Sequence, residues 1–493
     1  MHRALARACL LLAAACGPAP PSSGPAAGPA ASPPGPGAAP GLDAAPSPLP
    51  ARVILAFDGP IPPTVDLGAG PVAPIHRLTE LPLAVFPLPP GISAGRARAR
   101  AAALPGVVLA ELDQPRVAAA ARLAERPPAA GLAWWADPPS PRLAPPRVAT
   151  ARVALLDTGL GAGVELPGTA GADFRGGATG DGDPHGHGTL VGAAIAGSSL
   201  PGLLPVLRPL RVLGPDGAGW VSDTLPAIEA AVAAGDGVLL LGYEGDAVSR
   251  AEALALGWAT ERGALVVAPA GNRGLLSAPA RLESVLAVGA LDARGGPAVY
   301  SPASAALDLM APGGDLSRDD DTDGHPDGVG VWVDGRELRA EGTSLAAARV
   351  AGAAAALLAA GASAAEARAL LLRTATDLGP PGQDPETGRG RVNLDAALAE
   401  RGLSAPAPPA GETRSLVVHG LRTKRDGPRL AVTCRTEEDL ELRVCDETGR
   451  CAVSPRGRQH ALLLEAGGQS VLFEGVAADG GRRVLGPLRV GGG

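Results

Sequence analysis

From about residue 150 onward, short apolar runs alternate with longer helical stretches, and this alternation limits the possible folds most strongly. Runs that are apolar on both faces are typical of parallel strands covered on both sides of a sheet. Ser363 and Glu366 form a capping box that predicts the start of one helix. The apolar runs are 153–156, 206–212, 237–241, 265–268 and 285–288. We therefore predict an α/β domain over residues 150–403, with a doubly wound and mostly parallel sheet.

Two smaller segments flank this α/β domain. The first, which we call the N-terminal module (residues 51–119), combines strand-like runs with one Ala/Arg-rich helical stretch, so we expect a small α+β fold. The second, the C-terminal domain (residues 412–493), has strand-like runs and little helical pattern, so we expect a small β-sandwich. The remaining divisions are a signal peptide (1–15), a Pro/Gly/Ala-rich linker (16–50), a connecting segment (120–149) and a second linker (404–411).

The first residues have the pattern of an export signal. Arg3 and Arg7 precede an apolar stretch that ends at Ala15. Cys16 follows in the sequence Leu-Ala-Ala-Ala-Cys, which resembles the processing site of bacterial lipoproteins. Acyl chains on Cys16 would anchor the protein at a membrane through the linker. The alternative is an ordinary signal peptide cut near residue 15 or 17, and both interpretations predict an exported protein, either lipid-anchored in the cell envelope or extracellular.

Composition narrows the classes of partner. The 43 basic and 50 acidic residues give a net charge of −7, which argues against a nucleic-acid partner, since nucleic-acid binders present a basic face. No apolar run in the sequence reaches the roughly 18–20 residues that cross a bilayer. The hydrophobic fraction of 46% suffices for sizeable cores.

Three cysteines lie in the C-terminal domain. Cys445 and Cys451 flank a short hairpin-like loop, and in an exported protein they can pair as a disulfide. Cys434 would then be left over. None of the three has the spacing of a metal site, so we expect a structural disulfide.

Three polar segments of the α/β domain carry the residue types of nucleophilic catalysis. Asp157 ends a predicted buried strand, at the edge of the sheet where active sites lie in α/β folds. His187 begins an apolar helical stretch, and Ser344 stands at the head of an Ala-rich one. A serine hydroxyl becomes a good nucleophile when an imidazole takes its proton and a buried carboxylate orients that imidazole. Singly these residues are typical of turns, loops and N-caps, but together they predict a catalytic triad.

Electrostatic stabilisation of the reaction has two candidate sources. The helix that begins near Ser344 offers free N–H groups and a favourable dipole to developing negative charge. Asn272 follows a predicted strand and offers an amide donor. We therefore expect Asn272 and the backbone of Ser344 to bind an oxyanion.

Taken in order, these motifs resemble those of the subtilisin-like serine proteases, the subtilases. Asp157 stands in Asp-Thr-Gly, His187 in His-Gly-Thr and Ser344 in Gly-Thr-Ser, with Asn272 between the last two. The resemblance implies a subtilisin-like fold and hydrolysis of polypeptide substrates through an acyl-enzyme, with no cofactor needed for catalysis. It also implies that the N-terminal module is an inhibitory propeptide, and hence a partner of the α/β domain.

The sequence departs from the family pattern beside each motif. Leu190 replaces the family's second histidine, and residues 345–349 differ from the usual Met-Ala-Ala-Pro-His. The strand that lines the substrate cleft, usually Ser-Leu-Gly-Gly, consists here of Gly242, Tyr243, Glu244 and Gly245. No departure removes a catalytic group. The alternative is an inactive surface lipoprotein that keeps the fold as a binding module.

An acidic loop precedes the serine motif. Four carboxylates follow the spacing of a calcium loop, and Gly324 permits its sharp turn. These residues are Asp319, Asp321, Asp323 and Asp327. Gly330 stands where an EF-hand has glutamate, so the loop is not an EF-hand. We expect a structural Ca²⁺ site; the alternative is a solvated acidic turn.

Glu244 raises a question of specificity, because the family usually has glycine there. Its strand, 242–245, and residues 268–271 correspond to the two strands that flank the primary side-chain pocket. A carboxylate at the rim of this pocket favours substrates with Arg or Lys side chains. The alternative is a carboxylate that faces solvent and discriminates little.

The lipoprotein interpretation predicts the effect of Cys16→Ser. If acyl chains provide the anchor, this substitution transfers the protein from the detergent-extracted membrane fraction to the soluble fraction. Fractionation followed by immunoblotting measures the shift. An unchanged distribution contradicts lipidation at Cys16.

Overall fold

The computed structural model describes residues in each of the three predicted domains. The described residues are 52–119, 121–124, 151–164, 166–176, 182–196, 205–319, 326–333, 336–402, 414–415, 418–426, 429–446, 451–465, 470–476 and 482–489. The predicted signal peptide, the two linkers and Cys16 lie outside these ranges. No helix within these ranges is long and apolar enough to cross a membrane.

The N-terminal module is an antiparallel sheet with one helix. Its strands are β1 (Arg52–Phe57), β2 (Val65–Asp66), β3 (Pro71–Val72), β4 (His76–Arg77), β5 (Leu83–Pro87), β6 (Val107–Leu112) and β7 (Pro115–Ala118), and its helix is α1 (Ala94–Ala102). The main sheet has the order β4-β5-β1-β6. Alternate residues of β1 face opposite sides: Val53 and Leu55 pack in the module's own core, whereas Ile54 packs against the α/β domain. This two-sided burial fixes the module on its neighbour.

The α/β domain has the predicted parallel sheet. Its strands are β8 (Arg122–Ala124), β9 (Arg152–Asp157), β10 (Ala172–Asp173), β11 (Val206–Arg211), β12 (Ala218–Trp220), β13 (Val238–Leu241), β14 (Tyr243–Glu244), β15 (Leu265–Pro269), β16 (Val285–Leu291), β17 (Leu309–Pro312), β18 (Val329–Val333) and β19 (Arg336–Glu341). Its helices are α2 (His187–Ala196), α3 (Val221–Ala233), α4 (Arg250–Glu261), α5 (Thr343–Ala359), α6 (Ala364–Arg373) and α7 (Leu394–Glu400).

Seven strands form this sheet in the order β10-β11-β9-β13-β15-β16-β17, all parallel. From β9 the chain goes to the edge strand β10, returns to β11 beside β9, and then continues on the other side of β9 with β13, β15, β16 and β17. The strand order therefore reverses at β9. Helices α2 and α5 pack in the core on one face, and α3 and α4 on the other. In such sheets, ligands bind beyond the carboxyl ends of the strands at the reversal point. That position belongs to Asp157, the last residue of β9.

Two carboxylates of the N-terminal module cap helices of the α/β domain. Glu111 accepts hydrogen bonds from the backbone N–H groups of Arg250 (3.0 Å) and Ala251 (3.2 Å), at the start of α4. Asp113 accepts from the backbone N–H (3.0 Å) and the hydroxyl (2.5 Å) of Ser222, at the start of α3. Burial raises the pKa of Asp113 to about 6, against the effect of the Ser222 hydrogen bonds. The module therefore docks on two positive helix ends.

After β6 the chain crosses onto the α/β domain as a strand. Strand β7 lies between β12 and β14 and pairs antiparallel with both. Further along, β8 pairs antiparallel with β19, whose last residue is Glu341. Part of the predicted connecting segment (residues 120–149) is thus a strand, β8, that pairs with β19.

The described residues of the C-terminal domain are β-strands. They are β20 (Arg414–Ser415), β21 (Val418–Asp426), β22 (Arg429–Asp446), β23 (Cys451–Glu465), β24 (Ser470–Val476) and β25 (Arg482–Arg489). All six join one hydrogen-bonded sheet, in which β22 pairs with β21, β23 and β24. Its pairing with β23 places Cys445 directly opposite Cys451. The sandwich packing and the disulfide stay predictions.

Candidate active site

Asp157, His187 and Ser344 come together although they are far apart in the sequence. His187 Nδ1 lies 2.7 Å from Asp157 Oδ1, and His187 Nε2 lies 3.2 Å from Ser344 Oγ. All three residues are buried. The imidazole therefore bridges a carboxylate and a hydroxyl within hydrogen-bonding distance of both, which is the geometry for activating a serine.

The position of Asp157 depends on a close contact with Gly242. A Cβ atom at Gly242 would lie 1.8 Å from Asp157 Oδ2, so no other residue fits beside the carboxylate without displacing it. The backbone N–H of Thr158 donates to Asp157 Oδ1 at 2.6 Å, which holds the carboxylate from the other side. The glycine at position 242 is thus explained by the room that the aspartate needs.

Asp183 fixes the start of the helix that carries His187. Its carboxylate accepts from the backbone N–H groups of Gly186 (2.8 Å) and Thr189 (2.8 Å) and from the hydroxyl of Thr158 (2.8 Å). Burial raises the pKa of Asp183, but these hydrogen bonds outweigh it and the net shift is downward. Asp183 therefore links the aspartate and histidine segments.

Asn272 is oriented by the residue before Ser344. Thr343 donates from its backbone N–H (2.9 Å) and from its hydroxyl (3.0 Å) to Asn272 Oδ1. Because a backbone N–H is only a donor, this contact identifies the acceptor end of the amide. Nδ2 is the donor end. The N–H of Ser344 lies in the first turn of α5, where backbone donors have no acceptor within the helix.

The residue after β7 reaches the serine and the histidine. The carbonyl oxygen of Ala119 lies 2.8 Å from His187 Nε2 and 3.2 Å from Ser344 Oγ. The Ala119 N–H donates to the carbonyl oxygen of Gly242 at 3.2 Å, and the Ala118 N–H donates to the carbonyl oxygen of Gly217 at 2.7 Å. A segment of this chain therefore lies in the cleft in extended conformation, with one peptide carbonyl at the triad.

The other residues of the predicted cleft strand line this segment. Tyr243 pairs with Ala118, and Glu244 pairs with Val117. The Gly245 N–H donates to the carbonyl of Ala278 at 2.8 Å. Residues 242–245 thus form one wall of the cleft, and β12 forms the opposite wall, which the sequence analysis did not identify.

Glu244 is buried and does not face solvent. Its carboxylate lies 3.3 Å from Arg273 Nε and accepts from the Asn272 N–H at 3.3 Å. A Cβ at Gly271 would lie 2.9 Å from Glu244 Oε2, so the carboxylate occupies the space between β14 and the end of β15. Burial raises the pKa of Glu244, and Arg273 opposes that shift. Its role in specificity stays a prediction.

The acidic loop is described only in part. Asp321 and Asp323 lie outside the described residues. Asp327 is buried, and its backbone carbonyl accepts from the N–H of Asp315 at 2.9 Å, which joins the two sides of the loop. Among the described residues, no group of three or more His, Cys, Asp or Glu side chains is placed to hold a metal ion. Calcium binding by Asp319, Asp321, Asp323 and Asp327 therefore stays a prediction.

Comparison with known proteins identifies the family. Residues 150–390 match the sequence model of the subtilase family. Subtilisin DY of Bacillus licheniformis is 33% identical over 264 residues, covering 50% of this chain and 91% of that protein. Subtilisin BL of Lederbergia lenta is 35% identical over 256 residues, covering 50% of this chain and 90% of that protein. The chain belongs to the subtilase family and is a serine-type endopeptidase.

A solved structure also aligns with this chain. The crystal structure of a lanthipeptide protease has a TM-score of 0.46 and 26% sequence identity, covering 51% of this chain and 87% of that one. This TM-score is too low to support a conclusion about the fold. The parallel sheet of the α/β domain is shown by its strand order, and the family is shown by the sequence relatives.

The environment of His187 predicts how activity depends on pH. Burial lowers the pKa of His187. The charge and the hydrogen bond of Asp157, together with the hydrogen bond to Ala119 and the charge of Asp183, outweigh burial and raise this pKa above its ordinary value of 6.5. A general base must be neutral to accept a proton, so activity falls as the pH drops through this raised pKa. We expect kcat/KM for peptide hydrolysis to be half-maximal above pH 6.5. An activity that is unchanged down to pH 5 contradicts this assignment.

Proposed function

We propose that this subtilase is exported as an inactive precursor and cleaves its own chain between Ala119 and Ala120. The single observation that carries the proposal is the placement of the Ala119 carbonyl at both Ser344 and His187, at the end of a strand paired on both sides. An extended chain with its carbonyl at a serine–histidine pair is the arrangement of a bound peptide substrate. In the proposed role, the N-terminal module is the propeptide.

The chemistry follows from these positions. Ser344 Oγ attacks the carbonyl carbon of Ala119 while His187 Nε2 takes the hydroxyl proton, and Asp157 orients the imidazole and stabilises its positive charge. The negative charge on the carbonyl oxygen is stabilised by Asn272 Nδ2 and the Ser344 N–H. His187 then protonates the leaving amine of Ala120, and water hydrolyses the acyl-enzyme. These steps need no metal or organic cofactor.

In the proposed precursor, the same contacts slow self-cleavage. The Ala119 carbonyl oxygen lies within hydrogen-bonding distance of Ser344 Oγ and His187 Nε2, so it competes with the contact between these two side chains. Attack requires this oxygen to turn toward the Asn272 amide. The bound strand also fills the cleft, so the N-terminal module is an inhibitor until it leaves.

Two accessory features belong to the proposal. Export follows from the signal pattern of residues 1–15, and Cys16 is the proposed lipid attachment site. Carboxylate oxygens at Asp319, Asp321, Asp323 and Asp327 are ligands of the kind that Ca²⁺ prefers, so the acidic loop is the proposed structural calcium site. Neither feature enters the peptide-bond chemistry.

Removal of the nucleophile tests self-cleavage. We expect Ser344→Ala to fold and to be exported. After the signal peptide is removed, the variant should keep the N-terminal module, because no hydroxyl is present to attack Ala119. The matched control is Ser304→Ala, which changes a half-buried serine whose hydroxyl accepts from the Ala306 N–H and which should mature like the wild type. Immunoblots of the two variants at equal times measure the difference. A Ser344→Ala protein that matures normally contradicts self-cleavage.

A further inference from the structure

We propose that the cleft carries a buried acidic subsite, formed by Glu252, that selects substrates with arginine three residues before the residue at the scissile bond. In protease notation, Ala119 is P1 and Arg116 is P4, so the preferred sequence has Arg at P4 and a small residue at P1. This inference rests on the proposed function, because it takes Pro115–Ala119 as a bound substrate.

The first observation is the complete burial of Arg116. Its side chain is 0% exposed, and that of its partner Glu252 is 1% exposed. Arg116 Nη2 lies 2.5 Å from Glu252 Oε2, and Arg116 Nε lies 3.3 Å from Glu252 Oε1. The guanidinium thus contacts both carboxylate oxygens through two parallel hydrogen bonds, which is the strongest geometry for recognising arginine.

The second observation is that the α/β domain itself holds Glu252 in place. The Tyr243 hydroxyl donates to Glu252 Oε1 at 3.1 Å, and the Thr224 hydroxyl lies 3.4 Å from the same oxygen. Burial raises the pKa of Tyr243 well above its usual value, and the nearby Glu252 adds to the shift, so its hydroxyl stays protonated as a donor. These contacts do not involve the N-terminal module, so the acceptor remains organised when the module leaves.

The third observation concerns the space for the guanidinium. A Cβ at Gly245 would lie 2.5 Å from Arg116 Nη1, so the glycine at this position leaves room for the arginine head group. Arg116 Nη1 also donates to the carbonyl of Pro115 at 2.9 Å. Burial lowers the pKa of Arg116, but the charge and the hydrogen bond of Glu252, together with Tyr243 and Asp113, outweigh burial and raise the pKa, so the bound guanidinium is charged.

The main-chain pairing of β7 shows how other substrates would reach the same pocket. Arg116 pairs with Gly219 of β12, and Val117 pairs with both Ala218 and Glu244. Such pairing uses backbone groups, which every peptide has. Any peptide that binds between β12 and β14 with its scissile carbonyl at Ser344 therefore directs its P4 side chain to Glu252.

The energetic argument favours a strong selection. A neutral P4 side chain would leave the Glu252 carboxylate buried without a cationic partner, and sites of this kind reject ligands that leave a buried charge unpaired. Lysine offers a point charge and cannot make the two parallel hydrogen bonds. We expect arginine to exceed its neutral isostere citrulline at P4 by at least about 30-fold in kcat/KM.

The test uses the mature enzyme, produced by expressing the full chain, and four fluorogenic peptides. Each has the sequence X-Val-Ala-Ala followed by an aminocoumarin leaving group, and X is Arg, Lys, citrulline or Leu. The expected order is Arg far above Lys, with citrulline and Leu lowest. Similar kcat/KM values for all four peptides overturn the proposed subsite.

Two variants assign the selection to Glu252. In Glu252→Gln the ratio of kcat/KM for the Arg peptide to kcat/KM for the citrulline peptide should fall toward one. The matched control is Glu261→Gln, which removes the same charge from an exposed position on the same helix and should keep the ratio. Unchanged selectivity in Glu252→Gln overturns the assignment.

Glu252→Gln leaves Arg116 buried without a counter-charge, and this can prevent maturation. A double variant that removes both charges keeps the proposal testable in that case. In Arg116→Met/Glu252→Leu both charges are removed, so the precursor can fold, and the P4 preference should change from Arg to Leu. Retention of the Arg preference overturns the proposal.

A separate measurement distinguishes failure of the subsite from failure of the proposed function. A fluorophosphonate reagent labels an activated serine whatever the P4 residue of the substrate. Labelling at Ser344 together with equal hydrolysis of all peptides overturns only the subsite. Absence of both labelling and hydrolysis overturns the proposed function and, with it, the subsite.

Discussion

The structure depends most on one interaction, the pairing of strand β7 with β12 and β14 on either side. A strand with both edges paired cannot slide by one residue without turning every side chain to the opposite face. This pairing therefore fixes at once which carbonyl lies at Ser344 and which side chain lies at Glu252. The contact of Ala119 with the candidate triad, the proposed inhibition of the precursor and the proposed specificity all follow from that register.

Charge reinforces the same register from two sides. Ser249 and Glu252 have the sequence pattern of a capping box, in which the glutamate would bind back to the start of its own helix. The Ser249 hydroxyl does accept from the Glu252 N–H at 3.1 Å, but the Glu252 carboxylate binds Arg116 instead. Glu111 of the N-terminal module supplies a cap to this helix. In the precursor, Glu111 thus binds the start of this helix while Glu252 binds Arg116 in the cleft.

The sequence predicted the sheet and the candidate triad better than the cleft. The central strands were predictable because they are apolar on both faces, and Asp157, His187 and Ser344 because each lies in a short motif. Strands β7 and β12 are short and contain Pro, Arg or Gly, so their patterns do not indicate strands. The proposed role of Glu252 could not be predicted from the sequence, because its partner Arg116 lies 136 residues away. Its local pattern with Ser249 indicated only a helix cap.

The most direct test of this account is to determine both ends of the cleavage by N-terminal sequencing of the mature protein and mass measurement of the released fragment. The account predicts a mature chain that begins Ala120-Ala121-Arg122 and a released fragment that ends at Ala119. Residues 118–121 are all alanine, so the number of alanines before Arg122 reports the register directly. A first cleavage at any other bond contradicts the placement of Ala119 at Ser344, and with it that of Arg116 at Glu252.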